Sequence, residues 1–129
     1  LSENGKIINI ASMYGTVSPD FQMYSNPAKQ NPPFYGAAKA ALIQWTKYLA
    51  CEFAKEGLRV NSISPGPFPH PGTFANGKEW FESELKEMNP LHKLGEPCHL
   101  KGSVALLASS LGDYMTGQNI TVDGGWTIW

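Results

Sequence analysis

Ile7-Ile8-Asn9-Ile10-Ala11-Ser12 is the first stretch with a definite conformational preference, after the short polar opening Leu1-Ser2-Glu3-Asn4-Gly5-Lys6. Its near-continuous apolar run reads as a strand covered on both faces, the setting of a parallel sheet flanked by helices. The residues from about Phe34 to Glu56 are rich in Ala and Leu, contain no proline and run up to Gly57, which reads as a long helix with a glycine stop. Leu58-Arg59-Val60-Asn61-Ser62-Ile63-Ser64 is then a second strand, stopped by Pro65-Gly66. Strand, helix, strand is a βαβ unit with a right-handed crossover, so the class is α/β. A first strand of this kind does not suit the edge of a small domain. Something is expected to precede it, and the chain reads as the C-terminal part of a longer protein.

Between the first strand and the helix lies a polar, proline-bearing loop, residues 16–33, which includes Thr16-Val17-Ser18-Pro19-Asp20, Tyr24-Ser25-Asn26-Pro27 and Asn31-Pro32-Pro33. Asn31 suits a helix cap, with proline in the first turn. A loop of this length in a compact domain is unusual, and usually functional or mobile. Beyond Pro65-Gly66, the breakers Pro67, Pro69, Pro71, Gly72 and Gly77 alternate with Phe68, Phe74, Trp80 and Phe81. A short amphipathic helix from Lys78 to Met88 is expected to pack over the strand ends, as a substrate lid or as a well-packed insertion. Another helix should start near Pro97 and run to about Ser109 or Ser110, with Val104, Leu106, Leu107 and Leu111 on its apolar side. Asn119-Ile120-Thr121-Val122-Asp123 reads as a third strand, ended by Gly124-Gly125.

The 129 residues correspond to one domain by length, and ten basic against eleven acidic residues give a net charge of −1. That balance points away from nucleic acid and anionic membranes as partners. No stretch has the apolar length of a membrane span, and the opening residues lack the form of a signal peptide, so a cytoplasmic location is expected. Cys51 and Cys98 are far apart and are expected to be free thiols. His70, His92 and His99 are too dispersed to define a metal site, and none is expected.

Chemistry concentrates in Phe34-Tyr35-Gly36-Ala37-Ala38-Lys39-Ala40-Ala41. Tyr35 and Lys39 are four apart, so a helix stacks them on one face. A cation held against a phenol favours the phenolate and brings it nearer to a working acid or base. The same spacing also occurs on ordinary amphipathic helices. Ser12, at the carboxyl end of the first strand, stands where open parallel sheets gather ligands, although a serine there can equally cap a turn.

Gly5-Lys6-Ile7-Ile8-Asn9-Ile10-Ala11-Ser12, Tyr35-Gly36-Ala37-Ala38-Lys39, Arg59-Val60-Asn61-Ser62-Ile63-Ser64-Pro65-Gly66 and Thr116-Gly117-Gln118-Asn119-Ile120-Thr121-Val122-Asp123-Gly124-Gly125 together resemble the short-chain dehydrogenase/reductase family over essentially the whole chain. The resemblance implies residues 1–129 as the catalytic and oligomerising C-terminal part of one doubly wound, Rossmann-type domain. It implies an NAD(P)-dependent oxidoreductase that interconverts a carbonyl and an alcohol, with a small-molecule substrate and a homodimer or homotetramer as its assembly. By position, Tyr35 matches the general acid/base, Lys39 the residue that lowers the tyrosine's pKa and bonds the nicotinamide ribose, and Ser12 the hydroxyl that orients the reacting oxygen. Pro65-Gly66 matches the turn beside the nicotinamide, so Tyr35, Lys39, Pro65 and Gly66 are the implied contacts with NAD or NADP.

Three departures accompany the resemblance. No Gly-x-Gly-x-x-Gly occurs, so the N-terminal nucleotide-binding half is absent and the chain alone is expected to bind cofactor poorly and to be inactive. The family's assisting asparagine would also lie upstream; Asn9, within the strand, does not match it. Ser12 and Tyr35 stand 23 positions apart, a longer gap than the family's usual one, so residues 16–33 look like an insertion near the substrate. His70 occupies the place of a threonine that often follows the Pro-Gly turn, and Thr73 comes later. The rival reading is a non-catalytic, reductase-like structural or oligomerisation domain, since the alanine-rich helix and the Trp126 to Trp129 tail also suit subunit contacts.

Overall fold

Three parallel strands form the sheet: β1 (Lys6–Ile10), β2 (Arg59–Pro65) and β3 (Asn119–Val122), in the order β1-β2-β3. Ile8 pairs with Asn61 and Ile63 with Ile120, which sets the register across all three. The helices are α1 (Pro33–Glu52), α2 (Glu79–Glu87) and α3 (Lys101–Ala108). This computed structural model describes residues 4–24, 30–70, 72–74 and 79–129. The expectations that touch Leu1-Ser2-Glu3, Ser25-Asn26-Pro27, Pro71, Gly77 and the helix start at Lys78 lie outside those residues.

The expected strand, helix, strand order is present, and the α/β architecture of a partial Rossmann sheet holds. Burial is distributed differently from the expectation. The fully covered strand is β2, where Val60, Asn61, Ser62, Ile63 and Ser64 are all buried. In β1, Ile7 and Ile8 are only half-buried and Ile10 is 50% exposed. The cause is topological: β1 pairs on one side only, and no second strand lies beside it among the described residues.

The polar residues inside β2 are compatible with burial because each has a partner. The Asn61 Nδ2 donates to Met115 O at 2.8 Å and its Oδ1 accepts from Gln118 N at 3.0 Å. The hydroxyls of Ser62 and Ser64 both donate to Asn119 Oδ1, at 2.9 and 2.8 Å. These bonds stitch β2 to β3 and its approach, and among the described residues no buried side-chain N or O lacks a partner.

Helix α1 begins at Pro33 with Pro32 as its N-cap, and no side chain caps it, so the expected Asn31 cap is not formed. Its regular part stops at Glu52; a tighter turn over Ala54–Glu56 follows, and Gly57 closes it at φ +73°, a left-handed conformation that glycine adopts without steric cost. The third helix is likewise divided into a 3-10 turn over Pro97–Leu100, the α-helical Lys101–Ala108 and a last turn over Ser110–Gly112. Helix α2 lies close to its expected place. Leu85 joins Met13, Met23 and Trp126 in a buried cluster against which Phe74, Phe81 and Met88 pack, so α2 covers the turn that follows β1. Buried Asn89 locks the end of α2 by donating to Leu85 O at 3.2 Å and Lys93 O at 2.9 Å. No helix among the described residues is long and apolar enough to cross a membrane.

Candidate functional site

Helix α1 is tied to β1 at two points on one face. Near the strand's end, Lys39 Nζ donates to Ile10 O at 2.9 Å. Seven residues later, Thr46 Oγ1 accepts from Asn9 Nδ2 at 2.9 Å while donating to Leu42 O at 2.8 Å. Seven residues are two helical turns, so both ties lie along one line of the helix, and Tyr35, one turn before Lys39, extends that line beyond the strand. Asn9 thus has a structural role, which its place in the strand did not reveal.

The segment after β1 completes the arrangement. Ser12 is buried, and its Oγ accepts from Tyr14 N at 3.2 Å, capping the turn Met13–Gly15. That bond uses a lone pair and leaves the Ser12 O–H as a donor. The turn presses directly on α1: a Cβ on Gly15 would lie 2.8 Å from Ile43 Cδ1 and 2.9 Å from Lys39 C, and one on Gly36 would lie 2.9 Å from Tyr14 O. Two glycines, one on each side, therefore allow the backbone contact that brings Tyr14 beside Tyr35.

Tyr35 and Lys39 are both half-buried, and Lys39 Nζ lies 5.7 Å from the centroid of the Tyr35 ring. Tyr35 lines an open cavity of about 700 Å³ together with Tyr14, Gly36, residues of the 17–21 segment and Gln30 to Pro33. Tyr14 shares a side-chain hydrogen bond with Tyr24, and its phenol is held well above the usual tyrosine value, first by burial and then by Tyr24, Asp20 and Tyr35. Tyr14 was not singled out by the sequence reading. Its place two residues after Ser12, at a strand's carboxyl end, was the available signal.

Pro65 ends β2, and Gly66 N donates to Val122 O at 2.9 Å, extending the ladder to β3. A Cβ on Gly66 would come within 2.6 Å of Asp123 Cα, so this backbone pair tolerates only glycine at that spacing. Ser12, Lys39 and Gly66 therefore all lie at the carboxyl edge of the sheet, and Tyr35 stands one helical turn from Lys39. His70 and Thr73 lie farther along, Thr73 Oγ1 donating to His70 O at 2.6 Å. Glu96, Cys98 and His99 bring donor atoms within 4.8 Å of one another, all exposed. A local cap draws them together: His99 Nδ1 accepts from Glu96 N at 3.0 Å, and Cys98 Sγ contacts Glu96 Oε2 at 3.7 Å.

A family profile described as enoyl-(acyl carrier protein) reductase matches residues 1–127. Galactitol 2-dehydrogenase (L-tagatose-forming) of Cereibacter sphaeroides is 37% identical over 97% of this chain and 46% of its own length. The 7alpha-hydroxysteroid dehydrogenase of Bacteroides fragilis is 36% identical over 96% of this chain and 44% of its own. Among solved structures, a short chain dehydrogenase from Leptospira borgpetersenii with bound NAD+ superposes with a TM-score of 0.85 at 42% identity, covering 97% of this chain and 45% of that one. Other solved neighbours carry NADH or NADP. The chain spans less than half the length of the relatives it matches. With the profile running over nearly every residue and the same strand, helix, strand frame carrying the motifs, the chain belongs to the short-chain dehydrogenase/reductase family, whose cofactor is NAD or NADP.

Proposed function

We propose that these residues are the catalytic and oligomerising half of an NAD(P)-dependent oxidoreductase that interconverts an alcohol and a carbonyl in a small molecule. The observation that carries the reading is the Lys39 ammonium, fixed on Ile10 O at 2.9 Å and 5.7 Å from the ring of a tyrosine that lines a cavity. The donor set fits the nicotinamide riboside part of the cofactor. Lys39 uses one N–H on Ile10 and keeps two for ribose hydroxyls, and Pro65 and Gly66 present backbone at the sheet's carboxyl edge. When bound, the nicotinamide takes up or supplies the hydride.

The chain's own residues manage the proton. In oxidation, the alcohol loses a hydride from its carbon and a proton from its oxygen, and Tyr35 Oη receives that proton. In reduction Tyr35 returns it to the carbonyl oxygen. Ser12 donates its free O–H to the reacting oxygen and holds it toward the phenol. Lys39 places positive charge 5.7 Å from the Tyr35 ring, beside the oxygen that exchanges the proton. Exposed free thiols at Cys51 and Cys98 support a reducing, cytoplasmic compartment.

Tyr35→Phe in the full-length protein tests the assignment. Turnover should fall by about 10²–10⁴-fold, while the cofactor dissociation constant stays within about twofold; unchanged turnover would overturn it. A second reading, a non-catalytic oligomerisation domain, is favoured by the exposed aromatic side of α1. Absence of NAD(P)H binding by a full-length protein that still self-associates would select it.

A further inference from the structure

The cavity beside Tyr35 has a distinctive chemistry. It is walled by the turn after β1, the 17–21 segment and the residues just ahead of α1, and among the described residues no charged side chain lines it. Its volume, about 700 Å³, lies within the ordinary range of small-molecule sites. The carboxamides of Gln30 and Asn31 line it and have no hydrogen-bond partner among the described residues. Each offers two N–H donors and a carbonyl acceptor. Tyr14 adds a phenol, which also shares a hydrogen bond with Tyr24. Phe21, 55% exposed, adds an aromatic face, and Pro32 and Pro33 add flat apolar surface.

Three ligand classes can be weighed against these walls. A carboxylate or phosphate would give up hydration with no cation among the described lining residues to replace it. Lys39 is held on Ile10 and is not part of the lining. An apolar polycyclic alcohol would cover Gln30 and Asn31 and leave their amides without water or partner, which is unfavourable. A neutral molecule with many hydroxyls satisfies both conditions: its O–H groups donate and accept, and its C–H faces lie on Phe21 and the prolines.

We propose that this cavity is a recognition pocket for a neutral polyol or sugar, with Tyr14, Gln30 and Asn31 determining specificity; the proposal rests on the oxidoreductase reading above. The reacting carbinol lies toward Tyr35, which takes the hydroxyl proton as the carbon gives its hydride to NAD(P)+. The remaining hydroxyls face the amides and Tyr14. The long gap between Ser12 and Tyr35 supplies these walls, since Val17, Ser18, Pro19, Phe21 and Gln30 to Pro33 all belong to it.

The test uses the full-length protein and three substrate sets: five- and six-carbon polyols, 2-hydroxy acids of similar size, and a hydroxysteroid. Formation of NAD(P)H is followed for each. Polyols should give a kcat/KM about tenfold or more above either other set. Asn31→Asp, which keeps the shape but replaces two donors with a charged acceptor, should raise the polyol KM about tenfold with kcat within about twofold. Tyr14→Phe should raise it about threefold. Polyol binding is also measured by calorimetry on Tyr35→Phe, where chemistry is removed. Binding there, with no turnover of any alcohol by the wild type, supports the pocket and overturns the oxidoreductase reading. Preferred turnover of hydroxy acids or the steroid overturns the pocket and leaves the oxidoreductase reading standing. An unchanged polyol KM in both variants, or no polyol binding to Tyr35→Phe, also overturns it.

Discussion

The two sides of α1 differ more sharply than any other two regions of the molecule. On the inner side, Lys39, Ile43 and Thr46 meet β1 and the turn after it, with Tyr35 and buried Ala50 on the same line, which is pinned by the Lys39 and Thr46 bonds. On the outer side, Phe34 is 73%, Trp45 53% and Tyr48 56% exposed, with Ala37, Ala38 and Ala41 exposed between them. The Trp45 and Tyr48 rings stack at 5.3 Å between centroids and 9° between planes. One helix thus turns a hydrogen-bonded lysine and threonine inward together with Ile43 and Ala50, and leaves an aromatic stripe exposed outward. The inward polar groups hold a geometry, whereas the exposed aromatic stripe is the surface that the proposed subunit contact would use.

The inner side should be the more sensitive to substitution, and the largest expected effect is on chemistry. Lys39→Ala removes both the tie to Ile10 and the charge beside Tyr35, so turnover of the full-length protein should fall by at least about 10²-fold. Near-normal turnover would show that the tie is not needed.

Gly15→Ala comes next. The added Cβ would meet Ile43 Cδ1, which can move, but also the backbone of Lys39 and Ala40 at 2.9 and 3.0 Å, which cannot. The cost should be about 3 kcal/mol, at the upper end for overpacking, measured by urea unfolding. Thr46→Val is nearly the same shape but deprives Asn9 of its partner, and should cost about 1–2 kcal/mol. A Thr46→Ser variant, which keeps the hydroxyl, should recover most of that loss.

Tyr14 yields a pH dependence. Its phenol is held above the usual value of 10.0 in the folded chain, chiefly by burial. Below about pH 10 both folded and unfolded chains keep the proton and stability is unaffected. Above it the unfolded chain releases the proton first, so stability falls as pH rises. Tyr14→Phe should flatten this alkaline decline in thermal unfolding, and an unchanged slope would assign the decline to other groups.

The smallest effect belongs to the outer side. Trp45→Ser should change the unfolding free energy of the subunit by no more than about 0.5 kcal/mol. The same substitution should lower the association state of the full-length protein in sedimentation. If association is unchanged, the outer stripe is not the subunit contact.

Residue order alone was enough to specify three strands, the long helix between the first two, its glycine stop and the pairing of Tyr35 with Lys39. These follow from periodicity and from one residue's reach along its own helix, which are local properties. Burial in β1 was overestimated because an apolar run reports what a strand prefers, not whether a neighbour is present beside it. Asn31 was read as a cap from its type and its place before two prolines, yet Pro32 holds the cap position and Asn31 lines the cavity. The Asn9 to Thr46 bond, the seat of Gly15 on Ile43 and the approach of Tyr14 to Tyr35 join residues 37, 28 and 21 positions apart. Contacts across such separations depend on how the helix settles against the sheet. Only the packed structure decides which hydroxyls, amides and rings share the space in front of Tyr35.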